Sequence, residues 1–281
     1  MELTAGAIER VAELALAEDV GDGDVTTEAI VPDDLRCRAQ LLLEEPGIVC
    51  GVHAAAAVFR ALDPDVHVDV LLADGAVVAT PPAVLAEIEG PARAVLTAER
   101  TALNLLARLC GIATLTRRFV DLVEGTGTTI LDTRKTTPGL RALEKYAVRC
   151  GGGSNHRAGL YDGVLVKENH LRVAGGVTAA LAALAALDGR VEGLPIEVEA
   201  ETLAQVREAI DAGAPRILLD NMSPEEVREA VELVAGRAEL EASGGVSLGT
   251  VRAYAETGVE FVSVGALTHS ARSLHVSLEV R

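Results

Sequence analysis

The sequence predicts an α/β protein with a parallel, helix-covered barrel in its C-terminal part and a smaller α/β domain before it. Three observations carry that expectation. From Thr128 onward a short β-branched run, a polar or glycine stretch and an amphipathic helix recur in turn, and such alternation builds a parallel sheet. Each run ends in polar or glycine residues, which is how a barrel furnishes its C-terminal rim. Apolar residues make up 49% of the chain but aromatic residues only 2%, with no Trp. The core must therefore be Ala, Val, Leu and Ile, which suits parallel strands under packed helices. A doubly wound open sheet is the competing architecture. It gathers ligands at one switch point, and no G-x-G-x-x-G is present to mark one.

Residues 1–110 make up the expected N-terminal domain. A helix is expected near Thr4–Ala17, followed by the turn Gly21-Asp22-Gly23-Asp24. Glu18-Asp19 and Asp22-Gly23-Asp24 lack the spacing of a calcium loop and read as a solvated turn. Leu71–Val78 reads as a hairpin about Asp74-Gly75. Pro81-Pro82 marks a break, and a long helix runs from about Thr97 into Arg117–Glu124. Residues 111–270 form the barrel, and the tail 271–281 is expected to pack with the first domain. Its six strand runs are Thr128–Lys135, Asp162–His170, Pro195–Ala200, Arg216–Asn221, Leu240–Gly245 and Phe261–Ala266, and Cys150–Leu160 has room for another. Thr202–Ala212 and Pro224–Ala235 carry helical periodicity, while Ser223-Pro224 and Ser247 look like helix starts.

Charge and composition exclude several functions. The 281-residue chain carries −17 with a pI near 4.8, so binding to a nucleic-acid backbone is not expected. Too few aromatics are present for a single-strand stacking platform. The longest nearly uncharged run, Val173–Leu187, is too short to span a bilayer, and the acidic, amphipathic N-terminus is unlike a signal peptide. Cys37, Cys50, Cys110 and Cys150 show neither zinc spacing nor a disulfide framework. A soluble, cytoplasmic protein is expected.

Against that acidic background, Arg134–Arg172 holds eight Lys/Arg and three Asp/Glu, a local charge of +5. Cations gathered in one segment of an acidic chain suggest a focused anion site. Arg134 and Lys135 follow directly on a strand, where rim ligands collect; solvated loop charges are the alternative. His156 and Arg157 follow Gly151-Gly152-Gly153, whose bare backbone lets an oxyanion approach. Lys167 alternates with apolar residues, so it meets either a neighbouring carboxylate or a ligand carboxylate. Glu197 and Glu199 share one strand face. Glu199 is nearer the mouth, and Glu197 is expected to pair with a basic residue lower down. Glu199 and Asp220 are oxygen donors for ribose hydroxyls or for Mg²⁺; pairing with Lys135 or Lys167 is the bland reading. Ser243-Gly244-Gly245, before a helix, and Gly265-Ala266 suit phosphate. Arg100 reads, on its own, as an ordinary exposed helical arginine.

Long collinear motifs then add a family. EDVGDGDVTT, ERTALNLLARLCGIATLT, LDTRKTTPGLR, EKYAVRCGGGSNHRAGLYDGVLVKENH, IEVEAETL, ILLDNM, EASGGVSL and VGALTHS resemble quinolinate phosphoribosyltransferases over nearly the whole chain. The resemblance implies an N-terminal α/β sandwich domain and an incomplete C-terminal barrel of fewer than eight strands. It implies decarboxylating transfer from phosphoribosyl pyrophosphate to quinolinate, with Mg²⁺, in NAD biosynthesis. It also implies a homodimer, or a higher assembly of dimers, with a shared active site. Quinolinate falls to Arg134, His156, Arg157 and Lys167, with Lys135 between it and the phosphoribosyl site and Thr133 a further substrate-binding residue. Ribose and phosphates fall to Glu199, Asp220, Ser243, Gly244, Gly245, Gly265 and Ala266. Lys135, Lys167, Glu199 and Asp220 carry the chemistry, and Arg100 reaches the acceptor of the partner subunit. A related barrel with another acceptor, like the homologues linked to molybdate transport, and a non-catalytic anion-binding barrel are the alternatives.

Overall fold

The computed structural model describes residues 3–186, 189 and 191–281; Leu187, which ends the uncharged run noted above, lies outside them. The chain forms two units. The first comprises Met1–Arg117, Thr136–Gly152 and Leu267–Arg281, and the second Arg118–Lys135 and Gly153–Ala266. Residues 136–152, expected in the barrel, thus group with the first unit, as does the tail.

The first unit holds α1 (Ala5–Val20), α2 (Val25–Ile30), β1 (Arg36–Leu43), β2 (Gly47–Ile48), α3 (Val52–Leu62), β3 (His67–Val70), β4 (Val77–Val78) and β5 (Ala83–Pro91). Most of α4 (Ala92–Leu122), then α5 (Arg141–Cys150) and β12 (Val276–Val280), complete it. Its main sheet has the order β12-β1-β5-β3 and is antiparallel throughout. Leu41, Leu43, Leu85, Val58, Phe59, Val95 and Leu106 form the core beneath it. The Thr4 side chain caps α1 and that of Asp24 caps α2, so the acidic turn at Gly21–Asp24 is a helix start rather than merely solvated.

The hairpin expected at Leu71–Val78 does not form. β3 pairs with β5, while β4 pairs with β2. Asp74 is the physical reason: its Oδ1 accepts the N–H groups of Gly51 (3.0 Å) and Val52 (3.2 Å) at the start of α3. The Asp-Gly pair serves the neighbouring helix instead of a two-residue turn.

A buried carboxylate gathers several donors in the interior of this unit. Glu144, on α5, is fully buried and accepts Arg108 Nε (3.1 Å), Arg108 Nη2 (2.8 Å), Thr137 N (3.0 Å) and Thr137 Oγ1 (2.8 Å). Removing Glu144 leaves the partly buried Arg108 guanidinium without its carboxylate and the two Thr137 donors without their acceptor. Glu144→Ala is therefore expected to cost about 3–5 kcal/mol of stability, read by urea denaturation; a loss under 1 kcal/mol contradicts this account.

The second unit holds β6 (Thr129–Leu131), β7 (Val164–Val166), α6 (Glu168–Ala174), α7 (Val177–Ala185), β8 (Ile196–Ala200), α8 (Leu203–Asp211), β9 (Arg216–Asp220), α9 (Pro224–Val234), β10 (Glu239–Ser243), α10 (Val251–Ala255) and β11 (Phe261–Ser263). α11 (Ala266–His269) straddles the boundary. The six strands are parallel in the order β6-β11-β10-β9-β8-β7. Among the described residues no ladder joins β6 to β7, so the barrel stays open on that side. The Cys150–Leu160 stretch adds only one isolated bridge, Ser154 to Leu131.

Along β8 to β11 the two faces differ. Val198, Ile217, Leu219, Leu240, Ala242 and Val262 are buried apolar residues. The alternate positions Glu197, Glu199, Asp220, Glu241, Ser243 and Ser263 are polar and share the opposite face. Ser223 caps α9 with Pro224 in its first turn, as expected. Ser247 does not start a helix; α10 begins four residues later, after Thr250.

Candidate active site

The polar strand face opens into a cavity of about 490 Å³ at the C-terminal ends of the strands. Such a volume suits a small organic substrate. Of the residues expected there, Thr133, Arg134, Lys135, His156, Arg157, Lys167, Glu199, Asp220, Ser243, Gly244 and Gly245 line it together. Gly265 and Ala266, at the end of the β11 segment and the start of α11, are not in the lining. Arg100 is exposed on α4, in the first unit.

The cationic wall is held by buried acids. Asp132, fully buried at the end of β6, accepts Asn155 Nδ2 (2.6 Å) and the His156 N–H (2.9 Å). These bonds fix the loop that delivers His156 and Arg157. The His156 ring nitrogen Nε2 lies 2.8 Å from Glu197 Oε2 and 3.7 Å from Glu241 Oε2. Glu197 thus has the basic partner expected lower in the barrel, and the partner is histidine. Arg157 Nη1 donates to Gly163 O at 3.1 Å. Burial, and after it the nearby charge of Arg134, lowers the proton affinity of Arg157, with Glu197 and Asp162 opposing. Two cations repelling each other in one cavity form a site that a polyanion relieves.

The same cavity carries carboxylates. Lys167 follows β7 directly, and its Nζ lies 3.3 Å from Glu199 Oε2, while Glu199 Oε1 accepts the Glu168 N–H at 3.2 Å. Lys167 thus makes the structural ion pair and faces the cavity as well. Asp220 Oδ2 accepts Asn221 Nδ2 at 2.8 Å. Burial raises the Asp220 carboxyl above its ordinary range and the charge of Glu199 adds to this, while Lys167 and Lys135 oppose. Two carboxylates with mutual repulsion are a donor set that suits a hard dication.

Gly244 and Gly245 have positive φ (95° and 63°) and follow β10 as a loop, not as the start of a helix. A Cβ on Gly244 would lie 2.8 Å from Asn221 N. Gly244→Ala is therefore expected to distort this loop and lower turnover about a hundredfold. The acceptor alone should still bind, as calorimetry would report; unchanged turnover counts against the loop's role.

Sequence reasoning missed Glu241, which lines the cavity and is fully buried. Its signal was available, since Glu241 stands two residues before Ser243 on the same strand face. Asn221 and Ser263 also line the cavity. Burial, reinforced by the charge of Glu197 and opposed by His156, pushes the Glu241 carboxyl up to about 8. A carboxyl raised in the folded state favours folding below its ordinary pKa of 4.5, and that contribution is lost as pH rises towards 8. Thermal stability should therefore fall across this window. Glu241→Gln should flatten the fall by about 5 °C at its upper end; an unaltered slope would refute the assignment.

Comparison with known proteins decides the family. Residues 112–279 match the C-terminal domain of quinolinate phosphoribosyl transferase, and residues 24–110 match its N-terminal domain. The chain belongs to the quinolinate phosphoribosyltransferase family. It is 44% identical to a probable carboxylating nicotinate-nucleotide pyrophosphorylase of Bacillus subtilis, over 94% of this chain and 90% of the relative. It is 42% identical to decarboxylating quinolinate phosphoribosyltransferase 1b of Nicotiana tabacum, over 96% and 81% of the two chains. The solved nicotinate-nucleotide pyrophosphorylase of Francisella tularensis superposes with a TM-score of 0.94 at 40% identity, covering 100% and 98% of the two chains. Within the family the fold is the expected one: an antiparallel N-terminal sheet with helices and an incomplete parallel barrel.

Proposed function

We propose that this chain transfers a phosphoribosyl group from phosphoribosyl pyrophosphate to quinolinate, with loss of CO₂, to form nicotinate mononucleotide for NAD biosynthesis. The observation that carries this reading is the pairing of Arg134 and Arg157 in a cavity that Glu199 and Asp220 also line. A phosphate sensor needs fewer cations. A pyridine dicarboxylate matches two arginine forks, because guanidinium binds carboxylate bidentately. The related-acceptor and non-catalytic readings lack that specific support.

In this reading Arg134, Arg157, His156 and Lys167 orient the two carboxylates, with Thr133 at the edge. Ser243, Gly244 and Gly245 offer backbone N–H groups to the ribose phosphate; Gly265 and Ala266 are assigned there by family resemblance alone. The pyridine nitrogen attacks the anomeric carbon with inversion as pyrophosphate departs, and no general base is needed. Glu199 and Asp220 stabilise the positive charge growing on the ribose ring, and Lys135 the charge on the leaving pyrophosphate. Mg²⁺, held by the substrate phosphates with Glu199 and Asp220 as the protein's oxygen donors, would supply further charge neutralisation. The ring nitrogen is then cationic and stabilises the electron pair left on C2 as the 2-carboxylate departs as CO₂, and C2 then takes a proton from water. A water-poor site favours that loss, because charge is neutralised in it.

The working form in this reading is a homodimer with a shared site, to which Arg100 of the partner subunit contributes. The cytoplasm is the proposed compartment, on the cysteine pattern; among the described residues no helix is long and apolar enough to cross a membrane. The decisive assay mixes the protein with quinolinate, phosphoribosyl pyrophosphate and Mg²⁺. Nicotinate mononucleotide and CO₂ should appear in equal amounts. Absence of product, or equal turnover with nicotinate, overturns the proposal.

A further inference from the structure

The first unit contains a group of ionisable side chains that the proposed reaction does not use. Cys50 stands just before α3, Cys150 is the last residue of α5, and Asp74 lies in the loop before β4. The two sulfurs and a carboxylate oxygen of Asp74 lie within 4.8 Å of one another, and the two thiols are hydrogen-bonded. The surroundings hold this contact in place. Asp74 Oδ1 takes the N–H groups of Gly51 and Val52, and its Oδ2 accepts the Tyr146 hydroxyl at 3.0 Å. Tyr146 is one turn before Cys150 on α5, so Asp74 ties both cysteine-bearing segments together.

The two sulfurs are unlike. Cys150 is partly exposed, and the hydrogen bond from Cys50 holds its thiol below the ordinary range, helped by Tyr146 and Arg149 against burial and Asp74. Cys50 is fully buried, and burial pushes its thiol well up. A partly exposed thiol within 4.8 Å of a buried one is the arrangement of an attacking and a resolving cysteine. Cys110 is a poor third partner. Its Sγ accepts the Cys50 N–H and donates to the Cys50 carbonyl, both at 3.3 Å, and burial pushes its thiol up to about 12.

We propose that Cys50 and Cys150 form a reversible disulfide when the protein meets a hydroperoxide, with Cys150 as the sulfur that reacts first. The Cys150 thiolate attacks a peroxide oxygen, the O–O bond breaks, and a sulfenic acid forms. With hydrogen peroxide the departing hydroxide takes a proton to become water. The Cys50 sulfur then attacks the Cys150 sulfur; the S–S bond forms, the S–O bond breaks, and a second water leaves with the Cys50 proton. Two electrons pass from the two sulfurs to the peroxide. A thiophilic dication held by the same groups is less favoured, because it needs Cys50 ionised in a buried setting that opposes its charge.

The test exposes the intact protein to a modest excess of hydrogen peroxide, blocks free thiols under denaturing conditions, and maps the peptides. Two of the four free thiols should be lost, a Cys50–Cys150 cross-linked peptide should appear, and a dithiol reductant should restore both. In Cys50→Ser, a sulfenic acid trapped by dimedone should accumulate at Cys150 instead. Oxidation of Cys150 while Cys50 stays free in the wild-type protein overturns the proposal, as does a Cys50–Cys110 link. So does an equivalent of zinc in the isolated protein that Cys150→Ser lacks. Should Cys50→Ser not fold, the wild-type peptide map decides alone.

Discussion

Arg157→Ala is expected to lower kcat/KM for quinolinate by about 30- to 700-fold, equivalent to about 2–4 kcal/mol, the range for truncating one partner of a buried charge pair. The loss should fall on the acceptor rather than the donor. Arg157 lines the cavity beside Arg134, and its proton affinity is lowered by burial and by that neighbour. In the free protein burial and the repulsion from Arg134 work against the Arg157 charge while Glu197 and Asp162 favour it, so removing it has opposing effects until the dianion binds. Stability should therefore change little, apart from the lost bond to Gly163 O, while KM for quinolinate rises. Arg157→Lys separates charge from geometry. It keeps the cation but loses the planar fork, so only part of the activity should return. Initial rates at varied quinolinate and at varied phosphoribosyl pyrophosphate decide the matter. A KM increase confined to the donor would move Arg157 to the other half of the site.

Much of this site was legible because strand periodicity is strict. Once β8, β9 and β10 are recognised, a carboxylate at every second position of an otherwise apolar run must project into the barrel, as Glu197, Glu199 and Asp220 do. Glu241 obeys the same rule. Its depth in the barrel is not local information, because Glu197, His156 and Ser263 come to it from three other chain segments. The Asp74-Gly75 hairpin failed for a related reason. A turn signal is local, whereas the α3 start that claims the Asp74 side chain lies more than twenty residues earlier. The Ser247 helix start failed because Ser247 closes a turn with Thr250 instead, its N–H donating to Thr250 Oγ1 at 3.0 Å. Asp132 shows the opposite limit. Its place at a strand end was plain, but only the fold brings Asn155 and His156 to it.

Arg100→Ala is expected to abolish turnover in the pure variant and to regain it when mixed with Arg157→Ala. Arg100 is exposed on α4 in the unit that does not carry the cavity. In the proposed dimer Arg100 reaches the acceptor held in the partner subunit's barrel. In a mixed dimer one barrel keeps Arg157 and receives Arg100 from the Arg157→Ala partner, so that site is complete. The other site lacks both. Random reassociation of equal amounts makes half the dimers mixed, each with one working site, so about a quarter of wild-type activity should return under two-fold symmetry. Co-expression with two affinity tags isolates the mixed species and should give about half of wild-type activity per dimer. If isolated mixed dimers stay inactive, the site is not shared. If Arg100→Ala alone remains active, the residue is the ordinary exposed arginine that its helix suggests.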